Sequence, residues 1–152
     1  LIEPSYRNLA SLPSFASCTR DIYEPTTRFS ADVALRMARG IASVAAHLHR
    51  HGITHGDLYG HNILWDEAGD CLLGDFGAAS FHATADTLET RALQRIEVRA
   101  FGVLLGELLE RVDAGSIDEA LVALQKDCCQ PHVLARPSFE QIETLLSAIQ
   151  HR

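Results

Sequence analysis

No stretch of this sequence approaches eighteen apolar residues, and the opening LIEPSYRNLASLPSF has no basic region followed by an apolar core. A spanning helix needs about twenty mostly apolar residues and a secretory signal needs that order of regions, so neither is predicted. Cysteine is sparse: Cys18, Cys71, Cys128 and Cys129 show no C-x-x-C spacing and no regular framework. That argues against a disulfide scaffold or a thiolate metal site and fits a reduced, cytoplasmic setting. Vicinal Cys128 and Cys129 read as core thiols. Positive charge is also short, with a net charge of −7 and no Lys/Arg cluster. A surface that tracks a phosphate backbone needs clustered cations, so nucleic acid is not an expected partner, and neither is a membrane. What the chain does have is apolar content. At 152 residues and 47% hydrophobic composition it can bury one domain's core.

The chemistry concentrates between His55 and Gly77, which reads HGDLYGHNILWDEAGDCLLGDFG. Asp57, Asn62 and Asp75 sit in short polar turns around two apolar runs, Asn62 to Trp65 and Cys71 to Gly74, joined by a glycine-containing loop. That is the grammar of a β-hairpin. Magnesium takes oxygen ligands, keeps several waters and binds through one or two protein groups plus substrate phosphates. Asn62 and Asp75 supply a protein share of that kind. Asp57, five residues before Asn62, is placed to face a substrate hydroxyl as a base or orienting group.

His55-Gly56-Asp57-Leu58, Asn62 and Asp75-Phe76-Gly77, with five residues from Asp57 to Asn62 and thirteen from Asn62 to Asp75, resemble the catalytic loop and D-F-G motif of the protein kinase superfamily. The resemblance implies ATP and Mg²⁺ as cofactors, with Asp57 catalytic, Asn62 and Asp75 binding metal and nucleotide, and Leu64 beneath the adenine. It also implies a fold that is mainly α, a protein-kinase-like C-terminal lobe with one short β-hairpin. Residues 1–152 would form a partial kinase-like domain: 1–29 an irregular, hinge-like segment, with Leu1 to Glu3 the end of the hinge strand, and 30–152 the helical lobe. No G-x-G-x-x-G occurs. By this resemblance the phosphate-gripping N-terminal lobe is missing, and the chain alone is expected to be inactive or nearly so.

Helical periodicity supports that architecture. Ala34, Met37, Ala38, Ile41, Ala45 and Leu48 share one face of a helix capped by Ser30 and stopped at Gly52. His47 and His51 lie four apart but read as solvated helix-end residues, and His61 and His82 have no evident partner. The segment from Ala78 to Gln94 reads as a solvated loop, with Thr84, Thr87 and Thr90 exposed to modification only as a lesser alternative. Leu93 to Val112 is apolar almost all round and predicts a central, buried helix. Its Glu97-Val98-Arg99-Ala100-Phe101-Gly102 is similar to the family's D-x-W-S-x-G. Ser116 and Glu119 predict a capping box for a helix to about Cys129, and Ser138 and Gln141 another for a last helix bearing Ile142, Leu145, Leu146 and Ile149.

Several positions depart from the family pattern. Gly56 stands where an arginine is usual, and Tyr59 where serine/threonine kinases carry a phosphate-contacting lysine. No A-P-E occurs between Gly77 and the buried helix, and the substrate-docking helix has no room. Arg136, in the family-like Arg136-Pro137 pair, therefore needs another partner, and Glu89 or Glu97 is the expectation. The partners implied are a nucleotide and a protein or small-molecule phosphoacceptor. Two alternatives stand beside a protein-kinase-type phosphotransferase. One is a pseudokinase or binding module. The other is a small-molecule kinase resembling aminoglycoside and choline phosphotransferases, which share the HGDL-x-x-x-N form.

Overall fold

The computed structural model describes residues 5–18 and 20–149; the segment Leu1 to Glu3, expected to end a hinge strand, lies outside them. The fold is mainly α. In chain order the regular elements are β1 (Arg7–Asn8), α1 (Ala31–Arg50), β2 (Ile53–Thr54), β3 (Ile63–Trp65), β4 (Cys71–Leu73), β5 (Ser80–Phe81), α2 (Leu88–Leu109), α3 (Glu119–Cys128) and α4 (Phe139–Ala148).

The expected hairpin is β3 and β4, antiparallel in the register Ile63↔Leu73, Leu64↔Leu72 and Trp65↔Cys71. Its loop closes because the Asp66 carboxylate accepts from the Asp70 amide at 2.9 Å while the Gly69 amide donates to the Asp66 carbonyl at 3.0 Å. The hairpin is not alone, which corrects the expectation of a single one. Arg7 and Asn8 add a third strand opposite Trp65 and Leu64, and β2 pairs with β5 in a separate two-stranded ribbon. The N-terminal segment is thus tied to the hairpin, and a bridge between Ser11 and Ile22 closes it into a loop.

α1 forms as the periodicity requires. The Ser30 hydroxyl accepts from the Val33 amide, a cap worth about 1 kcal/mol, and every residue of the expected apolar face is buried. This face lies against α4 and β4. Phe29 meets Trp65 edge-on at 5.0 Å, and Phe101 meets Phe139 likewise at 5.5 Å, so the core runs from the hairpin to the last helix.

Helix α2 departs from its expectation twice. It begins five residues before Leu93, because Thr87 caps it by accepting from the Thr90 amide. Thr90 is itself buried, with its hydroxyl on the Ala83 carbonyl at 3.3 Å. These threonines hold a helix end, not a mobile loop. Nor is the helix buried all round. Val98, Phe101, Leu104, Leu105 and Leu108 are, but Leu93, Ile96 and Val103 are 43%, 61% and 42% exposed. The short connection from β5 to α2 leaves this stripe uncovered among the described residues.

α3 is capped by Asp118, whose side chain accepts from Ala120, and not by Ser116, which belongs to a preceding 3₁₀ turn. The Ser138–Gln141 capping box is present in both directions, although Leu145 points outward and is half exposed. Arg136 pairs with neither Glu89 nor Glu97. Its guanidinium donates to the carbonyls of Gln130 at 2.8 Å and Arg95 at 2.9 Å, while Glu97 is occupied elsewhere. Cys128 is fully buried, and burial pushes its thiol up to about 12. All four cysteines are unpaired, and no described helix is long and apolar enough to cross a membrane.

Candidate functional site

The turn carrying Asp57 leaves β2, and the turn carrying Asp75 leaves β4; a single imidazole joins them. His55 is buried, its Nε2 donating to the Gly74 carbonyl at 2.8 Å and its Nδ1 accepting from the Asp57 amide at 3.3 Å. The two bonds assign opposite roles to the ring nitrogens and so fix the tautomer. Phe76 packs edge-on against the same ring at 4.8 Å. Asp57 and the two residues flanking Asp75 therefore share one anchor.

A second anchor comes from α2. Glu97 is 4% exposed. One of its oxygens lies 2.7 Å from His49 Nε2 of α1, and the other accepts from the Gly56 amide at 2.8 Å. Gly56 itself has φ +80°, and a Cβ there would stand 2.3 Å from the Ala78 carbonyl oxygen. Side chains other than glycine are disfavoured on both counts. The arginine usual in the family has no place at this position, which explains its absence physically.

With these turns held, the side chains converge. Asp57, Asn62, Leu64 and Asp75 line one cleft of about 420 Å³, together with Asn8, Leu12, His61 and Gly74. Asn62 Nδ2 donates to the Asp57 carbonyl at 2.9 Å and to Asp57 Oδ2 at 2.8 Å. Asp75 adopts the left-handed region, φ 49°, with its carboxylate accepting from the Gly77 amide at 3.1 Å. Aspartate tolerates that conformation because its short side chain bonds its own backbone. Leu64, on β3, is half-buried beside Asn8 and Leu72. All four residues singled out from the sequence are thus brought to one place.

Sequence reasoning missed His61's partner. The ring donates from Nδ1 to Asp21 Oδ1 at 2.8 Å, and its Nε2 lies 3.4 Å from Asp57 Oδ2. Burial works against its protonation, but the Asp21 hydrogen bond and the charges of Asp21 and Asp57 outweigh it and raise His61 above the ordinary imidazole range. Tyr23 sits alongside, donating to Glu107 at 2.9 Å beneath the Arg111 guanidinium. Burial first, then Glu107, pushes its phenol up. His82 also has a partner, the Ala83 carbonyl at 2.7 Å. A larger cleft, about 690 Å³, opens on the other side of the Asp57 turn, where Tyr59, Phe81, Arg20 and Arg99 face the uncovered Leu93, Ile96 and Val103 of α2.

The family pattern described as Protein kinase domain matches residues 14–95, more than half of the chain. The chain belongs to the protein kinase family. Within the family it is similar to protein kinase C epsilon type from Oryctolagus cuniculus, 32% identical across 88% of this chain and 20% of that protein. It is also similar to eIF-2-alpha kinase GCN2 from Arabidopsis thaliana, 39% identical over 41% of this chain and 5% of the relative. A third relative is 3-deoxy-D-manno-octulosonic acid kinase from Xylella fastidiosa, 39% identical over 37% of this chain and 22% of that kinase. The chain spans a fifth or less of the first two proteins' length, and little more of the third's. The matched region contains the whole cleft except for Asn8 and Leu12.

Proposed function

We propose that the protein to which this domain belongs is an ATP- and Mg²⁺-dependent phosphotransferase of protein-kinase type. The observation that carries the proposal is the shared cleft, in which the Asn62 side-chain amide holds the Asp57 carboxylate and which Leu64 and Asp75 also line. Asp57 is the base or orienting group for the acceptor hydroxyl. Its Oδ2 is the oxygen engaged by Asn62 and His61, and its Oδ1 has no hydrogen-bond partner among the described residues. Leu64 supplies an apolar floor for the adenine in a cleft that the exposed Leu12 also lines.

The donor set fits magnesium. Asn62 commits its nitrogen to Asp57 and keeps its oxygen, and Asp75 commits one oxygen to the Gly77 amide and keeps the other. Hard oxygen ligands in small number suit an ion that retains waters and shares phosphate oxygens. When bound, the ion would be held by Asn62 and Asp75 and would neutralise charge on the phosphates. No described group of three acidic, histidine or cysteine residues forms a cage of its own, and this ion does not need one. Phosphoryl transfer depends on positioning and charge neutralisation, and the present residues contain no glycine-rich phosphate loop. Activity is therefore assigned to the whole protein.

A small-molecule acceptor is the second reading. It is favoured by the short β5–α2 connection, which leaves the 690 Å³ cleft on the far side of the Asp57 turn open, and by the similarity to 3-deoxy-D-manno-octulosonic acid kinase.

Titrating ATP into the full-length protein with and without Mg²⁺ tests the nucleotide site. Saturable, Mg²⁺-dependent binding is expected, and Asp75→Ala should weaken it at least about tenfold, the effect of losing one charged ligand worth about 1.5–3 kcal/mol. Binding of equal strength without the ion, or in the variant, would remove the metal assignment.

A further inference from the structure

The chain of polar contacts behind Asp57 reaches a residue that no motif contains. Asp21 lies in the irregular N-terminal segment, forty positions before His61, and its side chain is 1% exposed. Both of its oxygens are used on one residue: Oδ2 accepts from the His61 backbone amide at 3.0 Å and Oδ1 from His61 Nδ1 at 2.8 Å. Two bonds from one carboxylate to the main chain and the ring of the same histidine leave that ring little freedom to turn. Tyr59 stacks on it, with centroids 5.8 Å apart and planes 9° from parallel. Nε2 is thereby aimed at Asp57 Oδ2, 3.4 Å away, while Asn62 Nδ2 approaches the same oxygen at 2.8 Å.

The close approach is built into the sequence at Gly60. A Cβ there would lie 2.7 Å from the Tyr23 hydroxyl and 3.2 Å from Asp21 Oδ2. Only glycine lets the Asp57 turn settle onto the Asp21 carboxylate without displacing it.

We propose that Asp21 and His61 are positioning residues for Asp57: Asp21 fixes the His61 main chain and ring within the turn that joins Asp57 to Asn62, so that the ring stands against the Asp57 carboxylate oxygen to which Asn62 donates and the other oxygen is left for the acceptor. The inference rests on the phosphotransferase reading above and extends it to the N-terminal segment, whose attachment to the hairpin now bears on the geometry of the reacting group. A carboxylate buried to this degree only to cap a turn would not need its second oxygen on an imidazole that points into the cleft.

The test uses the full-length protein, with Mg·ATP turnover followed as ADP release, in the wild type, Asp21→Asn, His61→Ala, their double variant and Asp57→Asn. A displaced catalytic group loses rate rather than nucleotide affinity. Asp21→Asn and His61→Ala should therefore each lower kcat about 10- to 100-fold while the KM for Mg·ATP stays within about twofold. The double variant should be no slower than the slower single one, because both remove the same constraint. Histidine-selective ¹⁵N labelling supplies the readout that a merely structural role would not move. The His61 Nδ1 resonance should shift in Asp21→Asn and the Nε2 resonance in Asp57→Asn.

Wild-type kcat in Asp21→Asn, alongside an inactive Asp57→Asn, would overturn the proposal and leave the function standing. Additive losses in the double variant would overturn it too. Full turnover in Asp57→Asn would remove the phosphotransferase reading instead. The ring resonances would then decide the geometry alone, and their failure to move would reject it.

Discussion

Replacing Glu97 with alanine is expected to destabilise the domain by about 3–5 kcal/mol, the range for breaking a buried acid–base pair by removing one partner. The size follows from what the carboxylate holds. It meets His49 of α1 at 2.7 Å and the Gly56 amide at 2.8 Å, and it is nearly inaccessible to water. Truncation leaves a buried imidazole nitrogen and a backbone N–H with no replacement, and the desolvation penalty of both remains. Domains of this size are stable by about 5–15 kcal/mol, so the loss is a large fraction of the total. Urea unfolding of the variant should show a lower midpoint at an unchanged slope. A shift worth less than about 1 kcal/mol would mean that the pair is not the tie between α1, α2 and the Asp57 turn that its geometry describes.

Gly56→Arg, which restores the residue usual in the family, should have the opposite of a repairing effect. It should cost about 3 kcal/mol or more, combining a left-handed backbone penalty of about 1–2 kcal/mol with a clash against main chain. The offending contact is at the Cβ, 2.3 Å from the Ala78 carbonyl oxygen, so Gly56→Ala should fall almost as far. That comparison separates backbone strain from any effect of the added charge. Equal stability of both variants with the wild type, in the same urea experiment, would show that the close approach of the turn at Ala78 can yield. The segment after Asp75 would then be less firmly docked than β2–β5 pairing requires.

The family's motif was legible because its chemistry is local. Asp57, Asn62 and Asp75 each sit in a short turn, and the hairpin that spaces them is written in alternating apolar runs and an Asp-rich loop. α1 and α4 were legible for a similar reason, since apolar period and cap residues coincide. What was not legible depended on distance in the chain. Nothing near Asp21 signals that it meets His61, and the irregular composition of its segment hides β1 as well. Glu97 could be matched to a family position, but its bonds to His49 and Gly56 need three elements packed together. The extent of α2 was misjudged through Thr87, whose capping role competes with an equally plausible loop reading of the same polar residues. The burial of α2 was misjudged through composition: an all-round apolar helix implies a partner on every side, and here the Leu93, Ile96 and Val103 side faces an open cleft.

The most direct test is phosphoryl transfer itself. The full-length protein should be incubated with γ-labelled ATP and Mg²⁺ against protein and small-molecule acceptors, beside an Asp57→Asn variant shown to unfold at the wild-type urea midpoint. Labelled acceptor is expected with the wild type, and a loss of about 10²- to 10⁴-fold in the variant, the contribution of a positioned acid–base group. Transfer undiminished in Asp57→Asn, or no transfer to any acceptor by a wild-type protein that binds Mg·ATP, would contradict the account.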